Sequence, residues 1–185
     1  HRGVDVPAHL QAGTSGLMIS LGAADAVLLG ILGLLIGSFL NVVIHRLPRM
    51  MELRWAQECA ELNASSAGEQ VEAAEAAPSP PRFNLMTPRS RCPHCGHQIA
   101  WFENIPVVSY LALRGRCRGC AAPISLRYPA VELVCGLLFA WCGWQWGLTW
   151  TALAWSGFAA ALLALTCIDW DTTLLPDDIT LPLLW

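Results

Sequence analysis

By length the 185 residues could form one soluble domain, but 55% are hydrophobic, only 14% are charged and the mean hydropathy is +0.45, a composition that argues for a membrane protein. The formal net charge of −3 carries little information alone, because all eleven basic residues are Arg and ten of them lie between Arg46 and Arg127. A chain that is neither strongly basic nor free of the membrane argues against a nucleic-acid partner.

Residues 1–23 contain Gly, Ser and Ala without strong pattern and read as an external tail. Residues 24–45 are expected to form a first transmembrane helix. Ala26 to Ile44 is nineteen residues without a charge, long enough to cross a hydrocarbon core of about 30 Å. No basic n-region precedes it, no small-residue cleavage site follows, and His45-Arg46 comes directly after, so a retained helix is preferred to a signal peptide. Gly33 and Gly37 form a GxxxG, which permits close helix approach. Ser38, Asn41 and His45 share one face, and Asn41 is costly in a membrane unless paired. It serves either as helix–helix glue or as part of a site at the cytosolic mouth.

Residues 46–128 are read as a cytosolic zinc-binding domain. Within it, residues 47–66 suit a short amphipathic helix carrying Met50, Met51, Leu53 and Trp55. Residues 68–81, rich in Ala, Glu and Pro without apolar period, read as a flexible insertion. Then come the pair Cys92 and Cys95, twenty-one intervening residues, and the pair Cys117 and Cys120. Four thiolates at this ribbon-like spacing suit a closed tetrahedral Zn2+ site with Zn–S distances of about 2.3 Å. Two disulfides, or one reactive pair, are the competing readings. Four cysteines leave no open coordination position, so the zinc is expected to be structural. Gly96 and Gly119 supply backbone freedom around the ligands. Arg114, Arg116 and Arg118 surround the second pair, and either bind an anion or lipid phosphate or form a solvated rim.

Leu133 to Ile168 is another thirty-six residues without a charge, enough for two spans, placed at 129–147 and 150–168. The break falls at Gly147-Leu148-Thr149-Trp150, among Trp141, Trp144, Trp146, Trp150 and Trp155, as expected of an interfacial aromatic belt. Glu132 lies near the start of the second span, where a helix N-terminus stabilises a carboxylate. Residues 169–178 hold Asp169, Asp171, Asp177 and Asp178 and read as a cytosolic aspartate-rich turn, either a charged boundary or an acid/base site. Asp169 directly follows the apolar run and is expected to be the least solvated of the four. Asp169 and Asp171 are two apart, which on a helix sends them to opposite faces, so they are not expected to be partners. Residues 179–185 begin a fourth apolar run that reads as a span cut short, and with His1 in first place the chain is read as a fragment. The arginines place the loop in the cytosol by the positive-inside rule. A reducing cytosol keeps cysteines as thiols, which favours zinc over disulfides. The expected fold class is a mainly α membrane protein, with polytopic transmembrane helices and a cytosolic zinc-ribbon-like loop domain.

Five ordered motifs resemble the type IV prepilin peptidases. They are Gly37-Ser38-Phe39-Leu40-Asn41 continuing to His45-Arg46-Leu47-Pro48; the two CxxC pairs; Glu103-Asn104-Ile105-Pro106; Arg127-Tyr128-Pro129 with Val131-Glu132-Leu133; and Asp169 to Asp177. The resemblance covers residues 24–185. It implies a bifunctional, multi-pass enzyme of the bacterial inner membrane. Such an enzyme cleaves the leaders of type IV prepilins and pseudopilins on the cytosolic side, by the aspartic chemistry of the GxGD proteases. It then methylates the new N-terminal residue using S-adenosyl-L-methionine. The resemblance makes Asp169 the first catalytic aspartate, and Asp171, Asp177, Asn41, Arg46 and Glu132 stand as accessory candidates. The second aspartate of the family lies in a GxGD, which these 185 residues do not contain, so alone they are expected to be peptidase-inactive. No Gly-rich nucleotide loop marks the methyl-donor site. The alternative, from another class, is a membrane-anchored zinc-ribbon adaptor that binds a partner and catalyses nothing.

Overall fold

The computed structural model describes residues 8–66, 84–87 and 89–184; the insertion expected at 68–81 lies outside them. The order of elements is α1 (Ala8–Ser66), a 3-10 turn (Trp101–Asn104), α2 (Val108–Ala112), α3 (Arg127–Trp146), α4 (Trp150–Thr172) and α5 (Asp177–Leu184). Among the described residues the β-structure amounts to two isolated bridges, Arg91 with Gln98 and Arg116 with Pro123.

α1 is one helix of 59 residues. It begins inside the stretch read as a tail, and it runs through the 47–66 segment without a break. From Ala8 to Leu47 the sequence has no Pro and many strong helix formers. Pro48 removes one backbone hydrogen bond, but it is buried, where packing outweighs local propensity.

α1 and α3 pack antiparallel along a glycine seam. Gly37 lies against Glu132 and Cys135, Gly33 against Cys135 and Phe139, and Gly30 against Ala140. A Cβ on Gly33 would stand 2.6 Å from Phe139 Cβ, and one on Gly37 would stand 2.7 Å from Glu132 Cα. α4 joins them with a buried stripe of small residues, Ala152, Ser156, Ala160 and Ala164. Leu29, Leu40, Ile44, Val131, Phe139 and Ile168 fill the core between the three helices. The α3–α4 break falls where the sequence puts it. Gly147 closes α3 at φ 61°, and Thr149 caps α4 by accepting the Ala152 N–H at 3.2 Å. Trp141, Trp144, Trp146, Trp150 and Trp155 around that turn remain exposed, and Trp146 stacks on Trp155 with centroids 6.1 Å apart.

Among the described residues, two helices are long and apolar enough to cross a membrane: α1 over Gly22–Asn63, and α4. α3 has the length, at 20 residues, but Glu132, Gln145 and its tryptophans lower its hydropathy. The stretch read as an aspartate-rich turn is mostly helical. α4 continues through Asp169 and Asp171 to Thr172, Thr173 closes it in the left-handed region at φ 53°, and α5 opens at Asp177. Thr172, Thr180 and the carboxylates at the start of α5 favour these helix ends over an extended turn. The end of α4 therefore sits beside the start of α3 and the 38–46 segment of α1, and the cysteine loop attaches at that same end of the bundle.

Gly37→Ala is expected to destabilise the helix packing by about 1–3 kcal/mol, because the added methyl meets backbone. Gly157→Ala is expected to be neutral or slightly stabilising, since a methyl added there would have nothing within 4 Å. Thermal unfolding in detergent compares the two, and an equal loss in both would contradict the seam.

Candidate functional site

Each CxxC pair is closed by the same two backbone hydrogen bonds. The Cys92 N–H donates to His97 O and the Gly96 N–H to Cys92 O, both at 2.9 Å. In the second knuckle the Cys117 N–H donates to Ala122 O at 2.8 Å and the Ala121 N–H to Cys117 O at 2.9 Å. The residue after each pair takes a positive φ, 71° at Gly96 and 58° at Ala121. Glycine therefore answers the turn only in the first knuckle. Gly119 serves differently, since a Cβ there would stand 3.2 Å from His97 Cβ and 3.3 Å from Cys95 Sγ.

These knuckles bring the sulfurs of Cys92, Cys95, Cys117 and Cys120 within 4.8 Å of one another, all as free thiols. Cys92 and Cys120 are 3.8 Å apart, and Cys95 and Cys117 are 4.0 Å apart. A tetrahedron with metal–sulfur bonds of about 2.3 Å has sulfur–sulfur edges of about 3.8 Å, so the cluster can hold a metal ion with little rearrangement. The two thiols of the first pair are pushed in opposite directions. Backbone N–H groups of Cys95 and His94 lower Cys92 to about 7. At Cys95 the His97 N–H pulls the same way, but desolvation and the sulfurs of Cys120, Cys92 and Cys117 outweigh it and push that thiol up. A cation is what would let all four act as thiolates.

Glu103 ties the knuckles to the turn between them. Its Oε2 accepts the Ala100 N–H at 3.0 Å and meets His97 Nε2 at 3.2 Å, while Arg118 Nη1 lies 3.7 Å from Oε1. The Ala100 N–H, opposed by desolvation and helped by His97 and Arg118, holds the Glu103 carboxyl below the usual carboxylate range.

Polar contacts join α1 to the first turn of α3 and dock the loop on both helices. Asn41 Nδ2 donates to Tyr128 O at 3.1 Å, and Ser38 Oγ donates to Asn104 O at 3.3 Å. The buried Glu132 accepts the Val107 N–H at 2.7 Å. Val107 has φ 56° and ψ −44°, with the Val108 N–H returned to Pro106 O, a γ-turn that a β-branched residue adopts only when held. Arg127 spans the last turn of α4, with Nη1 2.6 Å from Asp171 Oδ1 and Nη2 3.1 Å from Cys167 O.

A cavity of about 620 Å3 opens between α1, the knuckles and the start of α3. Asn41, Arg46, Glu132, Cys92 and Cys117 all contribute to its walls, and Arg46 also donates to Asn84 O at 2.9 Å. The cavity thus gathers one cysteine from each knuckle and three of the accessory candidates. Asp169 and Asp177 do not line this cavity. Asp169, expected to be the least solvated aspartate, is exposed on the last turn of α4, because that helix buries Ile168 instead. Asp177 is exposed at the start of α5, and Asp171, paired with Arg127, does not line the cavity either. The sequence alone does not reveal the roles of Arg127, Glu103 and Val107. A lone Arg at the edge of an uncharged run was the available signal for the first; the other two depend on long-range contacts.

Residues 31–146, more than half of the chain, match the family described as the Bacterial Peptidase A24 N-terminal domain. A protein of Stutzerimonas stutzeri named prepilin leader peptidase/N-methyltransferase is 53% identical over 158 residues, 84% of this chain and 50% of that protein. Proteins of the same name from Burkholderia pseudomallei and Aeromonas hydrophila are 51% and 52% identical, over 84% and 82% of this chain and 48% and 50% of theirs. The chain spans about half the length of the curated relatives it matches. No solved structure matches it.

Cys92→Ser and Cys117→Ser are each expected to lower metal bound per chain and the stability of the loop, while Cys59→Ser, exposed and outside the cluster, leaves both unchanged. Elemental analysis of purified variants decides, and undiminished metal in the first two would remove the metal reading.

Proposed function

The chain belongs to the family of the bacterial peptidase A24 N-terminal domain, and from that premise we propose that it forms part of a multi-pass inner-membrane enzyme. The enzyme cleaves the leader peptides of type IV prepilins and pseudopilins at the cytosolic face and N-methylates the new terminal residue. The observation that carries this reading is the convergence of all five ordered motifs on one end of the helix bundle.

In the proposed topology α1, α3 and α4 cross the membrane, a fourth span begins at residue 179, and the arginine-bearing loop with residues 46–66 lies in the cytosol. Asp169 is the proposed catalytic residue. One carboxylate of an aspartic pair takes a proton from the attacking water while the other, protonated, supplies a proton to the leaving amine. Asp169 supplies one carboxyl, and its exposed position leaves it open to a peptide. No GxGD in these 185 residues supplies the other, so they are not expected to cleave alone. Asp171, neutralised by Arg127, and Asp177 take accessory places. Asn41 holds the first turn of α3 on α1, Glu132 holds the loop on α3, and Arg46 secures Asn84.

The four cysteines are proposed to hold a structural Zn2+, whose bound form cross-links the two knuckles and leaves no position for substrate. S-adenosyl-L-methionine supplies the methyl group when bound; the proposal assigns it no residues, because the described residues form no strand followed by a Gly-rich loop.

In the full-length enzyme, Asp169→Asn is expected to abolish prepilin cleavage on a gel, with metal content unchanged. Normal processing would shift the catalytic role to Asp171 or Asp177. A reporter fused near Gly68 is expected to be active only in its cytosolic form, and periplasmic activity would overturn the topology.

A further inference from the structure

The cavity under the knuckles carries positive charge that the proposed reaction leaves unused. Arg46, Arg49, Arg89, Arg91 and Arg118 all line it. Among the described residues, the carboxylates in its walls are Glu103 and Glu132, and both are engaged. Glu103 is shared by Ala100 N–H, His97 and Arg118, and Glu132 accepts the Val107 N–H. None of the ion pairs among the described residues involves Arg49, Arg89 or Arg91. Among the described residues, the guanidinium groups of Arg49, Arg89 and Arg91 therefore line a concave space with no carboxylate paired to them.

A cleft lined by one sign of charge focuses its potential on whatever enters. The guanidinium fork matches the oxygens of a phosphate better than a point charge does. At about 620 Å3 the cavity falls in the size range of small-ligand sites. We propose that it binds a phosphate-bearing ligand through Arg49, Arg89 and Arg91, either a free phosphate compound or the headgroup of an anionic lipid. Asn41 and Ser38 of α1 lie in the same wall, so the cavity borders a helix long and apolar enough for a membrane, within range of a lipid headgroup. The methyl donor is a poor occupant, because its net positive charge is repelled by these arginines. Arg114 and Arg116, which the sequence also offered for anions, do not line the cavity.

The test titrates inorganic phosphate and dihexanoyl-phosphatidylglycerol separately into the whole chain in neutral dodecylmaltoside micelles, followed by calorimetry. Saturable binding of at least one probe is expected. The pair Arg49→Gln with Arg89→Gln should weaken it by about tenfold or more, and the pair Arg114→Gln with Arg116→Gln should leave it unchanged. Binding of both probes identifies phosphate itself as sufficient, and binding of the lipid alone identifies the headgroup. If neither saturates, or if both pairs weaken binding equally, the proposal fails. Metal content measured on each variant reports folding, and Arg91→Gln alone replaces the cavity pair if that pair loses its metal. Prepilin cleavage is not a readout, so failure here leaves the enzyme reading untouched.

Discussion

The close approach of α1 and α3 is the constraint from which the site follows. Helices in lipid gain little from hydrophobic burial against each other, so contact between them depends on small residues that let the backbones meet. Gly33, Gly37 and Gly136 do this, each at a place where a Cβ would stand under 3 Å from a partner atom. The seam also sets register. With Gly37 against Glu132, Ser38 and Asn41 are carried to Asn104 and Tyr128.

That register converts two buried polar groups from liabilities into docking points. An unpaired amide or carboxylate buried at Asn41 or Glu132, each only 8% exposed, would cost several kcal/mol. Both are paired with backbone groups of the loop or of its junction with α3, Tyr128 O and Val107 N–H. Helix packing and loop docking are therefore one problem, because a shift along the seam would orphan both side chains. The strained turn at Val107 persists for the same reason. The loop itself offers few buried apolar side chains, and its cohesion rests on Glu103 and on the gathered sulfurs.

What could be read from the residues was local in origin. The GxxxG, the Gly147–Trp150 break and the spacing of the four cysteines each express a conformational or ligand rule within a short stretch, and the structure keeps all three. The misreadings arose where tertiary contacts outweigh local signals. Residues 47–66 looked like a separate short helix, but α1 runs through them unbroken with Pro48 buried inside it. The aspartates after Ile168 looked like a turn, yet the helix continues four residues further before Thr173 ends it. Arg114 and Arg116, read either as an anion site or as a solvated rim, do not line the cavity, whose arginines are Arg46 and Arg49 from α1 with Arg89, Arg91 and Arg118. Such a grouping depends on the chain returning to α1 from far along the sequence, which no local pattern encodes.

The grip of Arg127 joins these threads at the end of α4. Its two nitrogens hold the Cys167 carbonyl and the Asp171 carboxylate, so the fork brackets the turn that carries Asp169. Arg127 opens the same helix that presents Tyr128 and Glu132 to α1 and to the loop. One ion pair thus ties the turn that bears the aspartate proposed to cut to the start of α3.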